Sequence, residues 1–137
     1  MRDEFVEAVL AVVELVPPGK VLAYGDVAEL LGAGGPRQVG SVMSHFGGNV
    51  AWWRVIRANG GAPEGHEAEA LARYTEEGTP LRGTPGEGPW KVDMHSARWT
   101  PDDGELDAVD VIAESLWERL HGRRGGRMSD PDGRMDL

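Results

Sequence analysis

The sequence predicts a mainly α domain with a small β-hairpin, organised around a helix-turn-helix. Three observations lead there. Residues 3–16, "DEFVEAVLAVVELV", place Phe5, Val9, Val12, Val13 and Val16 on one face at helical spacing. Residues 24–46 read as two short helices separated by the turn "AGG". Val55-Ile56, followed by Asn59-Gly60, reads as a short strand entering a hairpin turn.

The elements follow in order. Asp3 suits the N-cap of the first helix, and Pro17-Pro18-Gly19 stops it. "KVLAY", 20–24, is a short extended link. "YGDVAELLG", 24–32, is a helix closed by Gly32. Pro36 opens the next helix, "PRQVGSVMSHF", where its missing N–H costs nothing; Val39, Val42, Met43 and Phe46 form the apolar stripe. "EAEALARYTEEG", 67–78, is a helix ending at Gly78, and 79–89 is a Pro/Gly loop. "WKVDMHSARWTP" supplies a short strand flanked by Trp90 and Trp99, both assigned to the core. Residues 103–120 form an amphipathic helix on Leu106, Val109, Ala113, Leu116 and Leu120. The expected organisation is one domain over 1–100, an accessory helix over 101–120, and a tail, 121–137, too poor in apolar residues to fold.

Composition narrows the function. The 137 residues contain no cysteine, which excludes disulfides, thiolate catalysis and Cys-ligated metals. No apolar run approaches the ~18–20 residues of a membrane span, and the acidic N-terminus is no secretory signal; a cytoplasmic location is the expectation. His45, His66, His95 and His121 are scattered, so neither a metal nor another cofactor is expected. The acids of 102–110 read as a solvated helix start rather than a calcium loop. A net charge of −9 argues against a nucleic-acid partner. The distribution softens this: residues 101–137 carry ten acids and five bases, whereas 21–60 hold two acids and three arginines.

Helix-turn-helix alone is weak evidence for DNA binding. Four blocks in order are more specific: "VLAYGDVAELLG", "GGPRQVGSVM", "AWWRVIRANG" and "YTEEGTPLRG". Together, over roughly residues 4–100, they resemble the DNA-binding domain of the O6-alkylguanine-DNA alkyltransferase family, and specifically its alkyltransferase-like, non-enzymatic branch. The resemblance implies a winged-helix-like domain. The active enzymes carry Pro-Cys-His-Arg-Val, where the cysteine accepts the alkyl group; here the run is Ala51-Trp52-Trp53-Arg54-Val55. Trp52 takes the acceptor position and Trp53 that of the activating histidine. An indole nitrogen is a donor without a usable lone pair, so this chain is not expected to be an enzyme. Glu77 matches the acid of the activating network, with nothing left to activate; a structural acid at a helix end is the alternative.

Recognition of a damaged base is what can remain. By resemblance, helix 36–46 enters the minor groove, Arg37 fills the gap left by an extruded base, and Tyr24 pushes on the phosphate of the flipped nucleotide. Gly40 permits close backbone approach, Ser41 and Ser44 reach phosphates, and Gln38 adds a polar side chain to the same helix. Tyr24, Trp52, Trp53 and Val55 form the lesion pocket, whose aromatic walls offset unstacking. In an extended segment the two indoles point to opposite sides, which assigns Trp52 to the pocket and Trp53 to packing or the rim. Arg54 is assigned a structural salt bridge or backbone contact. The implied partners are alkylated duplex DNA and nucleotide-excision repair proteins, bound by a monomer.

Plainer readings stand beside these. Arg37 near a helix start is often only solvated, Tyr24 suits a core edge, and Trp52 suits plain core. Two features depart from the family: the loop "GGAPEGH" offers no Arg or Lys over the pocket, only His66, and the chain extends beyond residue 104. A helix-turn-helix transcription regulator is the competing function. Its recognition helix would have few base-reading side chains beyond Arg37, Gln38 and Ser41. A hydrolase is disfavoured because no Ser-His-Asp or paired-carboxylate setting is evident.

Overall fold

The computed structural model describes residues 3–122. Helix α1 (Glu4–Leu15) begins at Asp3, whose carboxylate accepts from the Val6 N–H at 2.9 Å. Strand β1 (Leu22–Ala23) leads directly into α2 (Tyr24–Leu31), which ends on Gly32 in the left-handed conformation. Asp26 holds the start of α2 by accepting from the Ala23 N–H at 2.8 Å, and it also pairs with Arg98 at 2.9 Å. Helix α3 (Pro36–Phe46) follows the glycine turn. Gly34 is required in that turn: its φ is +70°, and a Cβ there would lie 2.7 Å from the Phe5 ring. Thus the turn presses on α1 while orienting α3.

Helices α1, α2 and α3 share one apolar core with Leu22 of β1 and Val55 of β2 (Val55–Ile56). A second cluster gathers Val21, Ile56, Ala70, Tyr74, Val92 and Ala97. It is built from β2, α4 (Glu67–Glu77), β4 (Lys91–Val92) and α5 (Met94–Ala97). Trp52 packs against both clusters, so the seam between them runs through that indole.

The sheet differs from expectation. Val55-Ile56 does not fold back at Asn59-Gly60. It pairs parallel with β1, Leu22 opposite Val55 and Ala23 opposite Ile56. The Asn59-Gly60 turn does form, with the Gly60 N–H donating to the Arg57 carbonyl and Asn59 Oδ1 accepting from Gly61. The chain leaving it bonds to Val92 rather than to β2. The antiparallel pair is β3 (Leu81–Arg82) with β4, and β3 lies in the stretch expected to be pure loop.

Helix α6 (Asp103–Trp117) opens with a reciprocal capping box: Glu105 N–H donates to Asp102 at 2.8 Å, and Asp102 N–H to Glu105 at 2.9 Å. Two acids of the cluster at 102–110 are thereby used as caps. The helix lies on α1 and α2, with Val109 and Leu116 buried in the first core and Ile112 packed against it. Leu106 and Leu120 of the expected stripe are exposed instead. A π-turn, Glu118–Gly122, ends the described chain; the rest of the expected tail lies outside the described residues. Trp99 is buried as expected, whereas Trp90 is only partly covered.

Candidate functional site

A cavity of about 630 Å³ opens between α2, α3, the segment 47–57 and the start of α4. Tyr24, Trp52 and Val55, three of the four residues the sequence assigns to a pocket, line it, and so do Gly40 and Ser44, which the sequence assigns to backbone approach and phosphate contact. Tyr24 stands at the first position of α2, and one edge of its ring, Cδ2 and Cε2, comes close to the bare backbone of Gly40. A Cβ at Gly40 would come within 3.3 Å of that ring. Gly40 therefore has an internal reason to be glycine: it seats the tyrosine. Burial raises the Tyr24 phenol above its ordinary value, with Arg57 opposing, so the ring presents a neutral hydroxyl at the cavity. Gly40→Ala is expected to push the ring outward by a few tenths of an ångström. That should weaken binding at this cavity about three- to tenfold, on the scale of a disturbed packing contact, with little change in melting temperature; titration of the variant against a duplex ligand checks it.

The tryptophans follow a different geometry from the one expected. Trp52–Arg54 is a 3₁₀ turn, not an extended segment. About three residues per turn set neighbouring side chains roughly 120° apart instead of opposed. The two indoles consequently touch edge to face, with ring centroids 5.6 Å apart and planes at 88°. Trp52 forms the cavity wall, and His66 leans on it at 5.7 Å. Trp53 is absent from the lining. Its Nε1 donates to Glu77 at 3.0 Å, and the Arg73 guanidinium sits 4.6 Å from its ring centroid.

Behind Trp53, Glu77 is the centre of a partly buried network. Arg54 donates to it from Nε at 3.1 Å and from a terminal nitrogen at 2.6 Å, and gives its third bond to the Val16 carbonyl at 2.9 Å. The Gly19 N–H adds a fourth donor to Glu77 at 3.1 Å. Burial alone would raise the carboxyl; the Arg54, Gly19 and Trp53 hydrogen bonds and the Arg54 charge outweigh it and hold the group below its ordinary value. Both roles suggested for Arg54, ion pair and backbone contact, are present. Tyr74 completes the frame by donating to the Trp53 carbonyl at 2.8 Å, its phenol raised mainly by burial.

Arg37, Gln38 and Ser41 do not reach the cavity. They are exposed on α3, with Ser44 beside them at the cavity edge. The Ser41 carbonyl is within 2.9 Å of His45 Nδ1. The loop expected over the pocket does supply Glu64 and His66 to the lining, whereas Arg57 and Glu69 are lining residues that sequence reasoning missed. Arg57 directly follows β2, and its guanidinium donates to the Ala62 carbonyl at 2.6 Å, tying the following loop back over the cavity. Among the described residues, no group of three or more His, Asp or Glu side chains is arranged to hold a metal.

Residues 4–79 match the model of the 6-O-methylguanine DNA methyltransferase DNA-binding domain. Alkyltransferase-like protein 1 of Schizosaccharomyces pombe is 33% identical over 106 residues, covering 72% of this chain and 97% of that protein.

The chain belongs to the alkyltransferase-like family.

Its fold agrees with another family structure, S. pombe Atl1 in complex with damaged DNA containing O6-carboxymethylguanine, at a TM-score of 0.61 and 33% identity. That superposition takes in all of the yeast chain and 74% of this family member. Proteins named DNA base-flipping protein are also similar: 36% identity over 61 residues in Vibrio parahaemolyticus and 41% over 64 in Escherichia coli. These matches span 61% and 48% of the respective bacterial proteins and under half of this chain. The methyltransferase model ends at residue 79, so α6 lies beyond it. No helix among the described residues is long and apolar enough to cross a membrane.

Proposed function

We propose that this protein is a non-enzymatic DNA damage sensor. It binds duplex DNA containing O6-alkylguanine, turns the modified nucleotide into the cavity, and holds it unrepaired so that nucleotide-excision repair proteins can act. The observation that carries this reading is the Trp52 wall of an open 630 Å³ cavity; on the sequence resemblance, Trp52 stands where the family's enzymes carry the acceptor cysteine. The volume is of the order that small-molecule pockets use, roughly 300–1,000 Å³. With no cysteine in the chain, the wall offers stacking and no thiol chemistry. The arrangement around it supports the same reading. Tyr24 lines the cavity, and on this reading its hydroxyl acts on the flipped nucleotide's phosphate. Arg37, Gln38, Ser41 and Ser44 form an exposed polar face on the helix assigned to the minor groove. The protein acts as a monomer in the cytoplasm on this reading.

The test is a binding comparison at fixed salt between two duplexes differing only in O6-methylguanine or guanine. The modified duplex should bind at least tenfold more tightly; equal affinities would defeat the sensor reading. In the same assay Arg37→Ala should lower affinity for the modified duplex by about ten- to hundredfold, because a vacated base stack left unfilled costs a few kcal/mol. A uniform twofold loss on both duplexes would reduce Arg37 to an ordinary phosphate contact.

A further inference from the structure

The charge of the cavity wall has a consequence for which lesions fit. Glu64 and Glu69 both line the cavity, one from the loop over it and one from the first turn of α4. Neither forms a salt bridge within 4 Å among the described residues. The one formal cation on the same wall is Arg57, and its guanidinium is directed to the Ala62 carbonyl. Counting carboxylates and guanidinium alone, the lining carries two negative charges against one positive.

Building on the base-holding reading above, we propose that Glu64 and Glu69 determine specificity: the pocket selects O6 substituents that are neutral or cationic and rejects anionic ones. A carboxylate introduced on the O6 substituent enters a wall of net like charge. The apolar surfaces of Trp52, Val55 and Met43 still favour an alkyl or aromatic group of similar size. One net charge at about 7 Å in a solvent-open setting changes affinity by roughly three- to tenfold. The preference runs opposite to what an anionic adduct such as O6-carboxymethylguanine requires, which is the lesion in the yeast Atl1 complex.

The experiment measures four duplexes of one sequence, carrying guanine, O6-methylguanine, O6-carboxymethylguanine, or its neutral isostere O6-carbamoylmethylguanine. The isosteric pair isolates charge from size. The neutral isostere should bind about fivefold more tightly than the acid. The Glu64→Gln/Glu69→Gln variant should bring that ratio close to one; both side chains are exposed, so folding is not at stake. Raising salt should also narrow the ratio in the unaltered protein. If the acid binds as well as its isostere while O6-methylguanine still exceeds guanine, the specificity proposal falls and the sensor reading survives. If none of the modified duplexes exceeds guanine, both fall together. A ratio that persists in the double variant would overturn the assignment to these two carboxylates.

Discussion

Trp52→Ala should lower affinity for an O6-methylguanine duplex by about thirtyfold while leaving affinity for the unmodified duplex within about twofold. Stacking on an aromatic side chain contributes ~1–3 kcal/mol per base, and the middle of that range corresponds to roughly thirtyfold. On the proposed reading the unmodified duplex is held chiefly through its backbone, by α3 rather than by Trp52. Trp52→Phe keeps a flat wall and should retain most of the affinity. The same indole also packs against both core clusters, so the alanine variant should lose stability. A half-buried tryptophan should cost less than the ~3–5 kcal/mol of a fully buried one. Urea unfolding of each variant fixes the conditions under which binding is measured on folded protein. An equal loss on both duplexes would make Trp52 a fold residue and leave the cavity without its wall.

The longer helices of this fold, α1 to α4 and α6, are legible in the sequence because each carries its own local signals, whereas the four-residue α5 lies in a stretch read only as a strand. Asp3 caps α1, Gly32 and Gly78 close α2 and α4, and Pro36 opens α3 where a missing N–H is harmless. The strands are two residues long, and two residues hold no periodicity. Pairing of Val55 with Leu22 is decided by the α2–α3 unit between them, not by the nearby Asn-Gly turn. The extended geometry expected for Trp52-Trp53 failed for a related reason, although the cavity does take in Trp52 and leave out Trp53: three residues carry too little pattern to tell a 3₁₀ turn from a strand. The candidate site divides the same way. Tyr24, Trp52 and Val55 stand out as residue types in a recognisable order. Arg57, Glu64, His66 and Glu69 become neighbours only when the loop folds over the cavity and α4 docks beneath it. Glu77 shows the limit from the other side. Its position suggested either a relic of lost chemistry or a structural acid at a helix end, and the network matches the second: Glu77 holds Trp53, against which Trp52 leans.

That network makes Glu77→Gln the variant with the largest expected effect on stability. The single glutamine oxygen can accept from Gly19 or from Trp53 but not from both, because they bond to different carboxylate oxygens of Glu77; the change also leaves Arg54 without its counter-charge, and Arg54 is only 16% exposed. Breaking a buried pair from one side costs ~3–5 kcal/mol. With 10% exposure at Glu77 the lower end applies, about 3 kcal/mol, which denaturant unfolding near neutral pH would resolve. The pH dependence provides an independent signature. The carboxyl lies lower in the folded chain than its ordinary value of 4.5, so its contribution to stability is fully present above that value. It is lost as pH falls through the folded pKa, where the unfolded chain binds the proton more readily. The unaltered protein should therefore lose stability steeply below about pH 4.5, and Glu77→Gln should show a flatter acid limb. Since Trp53 braces Trp52, the same variant should also weaken lesion binding more than binding to unmodified DNA, even at temperatures where it is fully folded. Unchanged stability with an unchanged acid limb would mean that water screens the Arg54–Glu77 pair, and the support of the cavity wall would have to come from Tyr74 and the core alone.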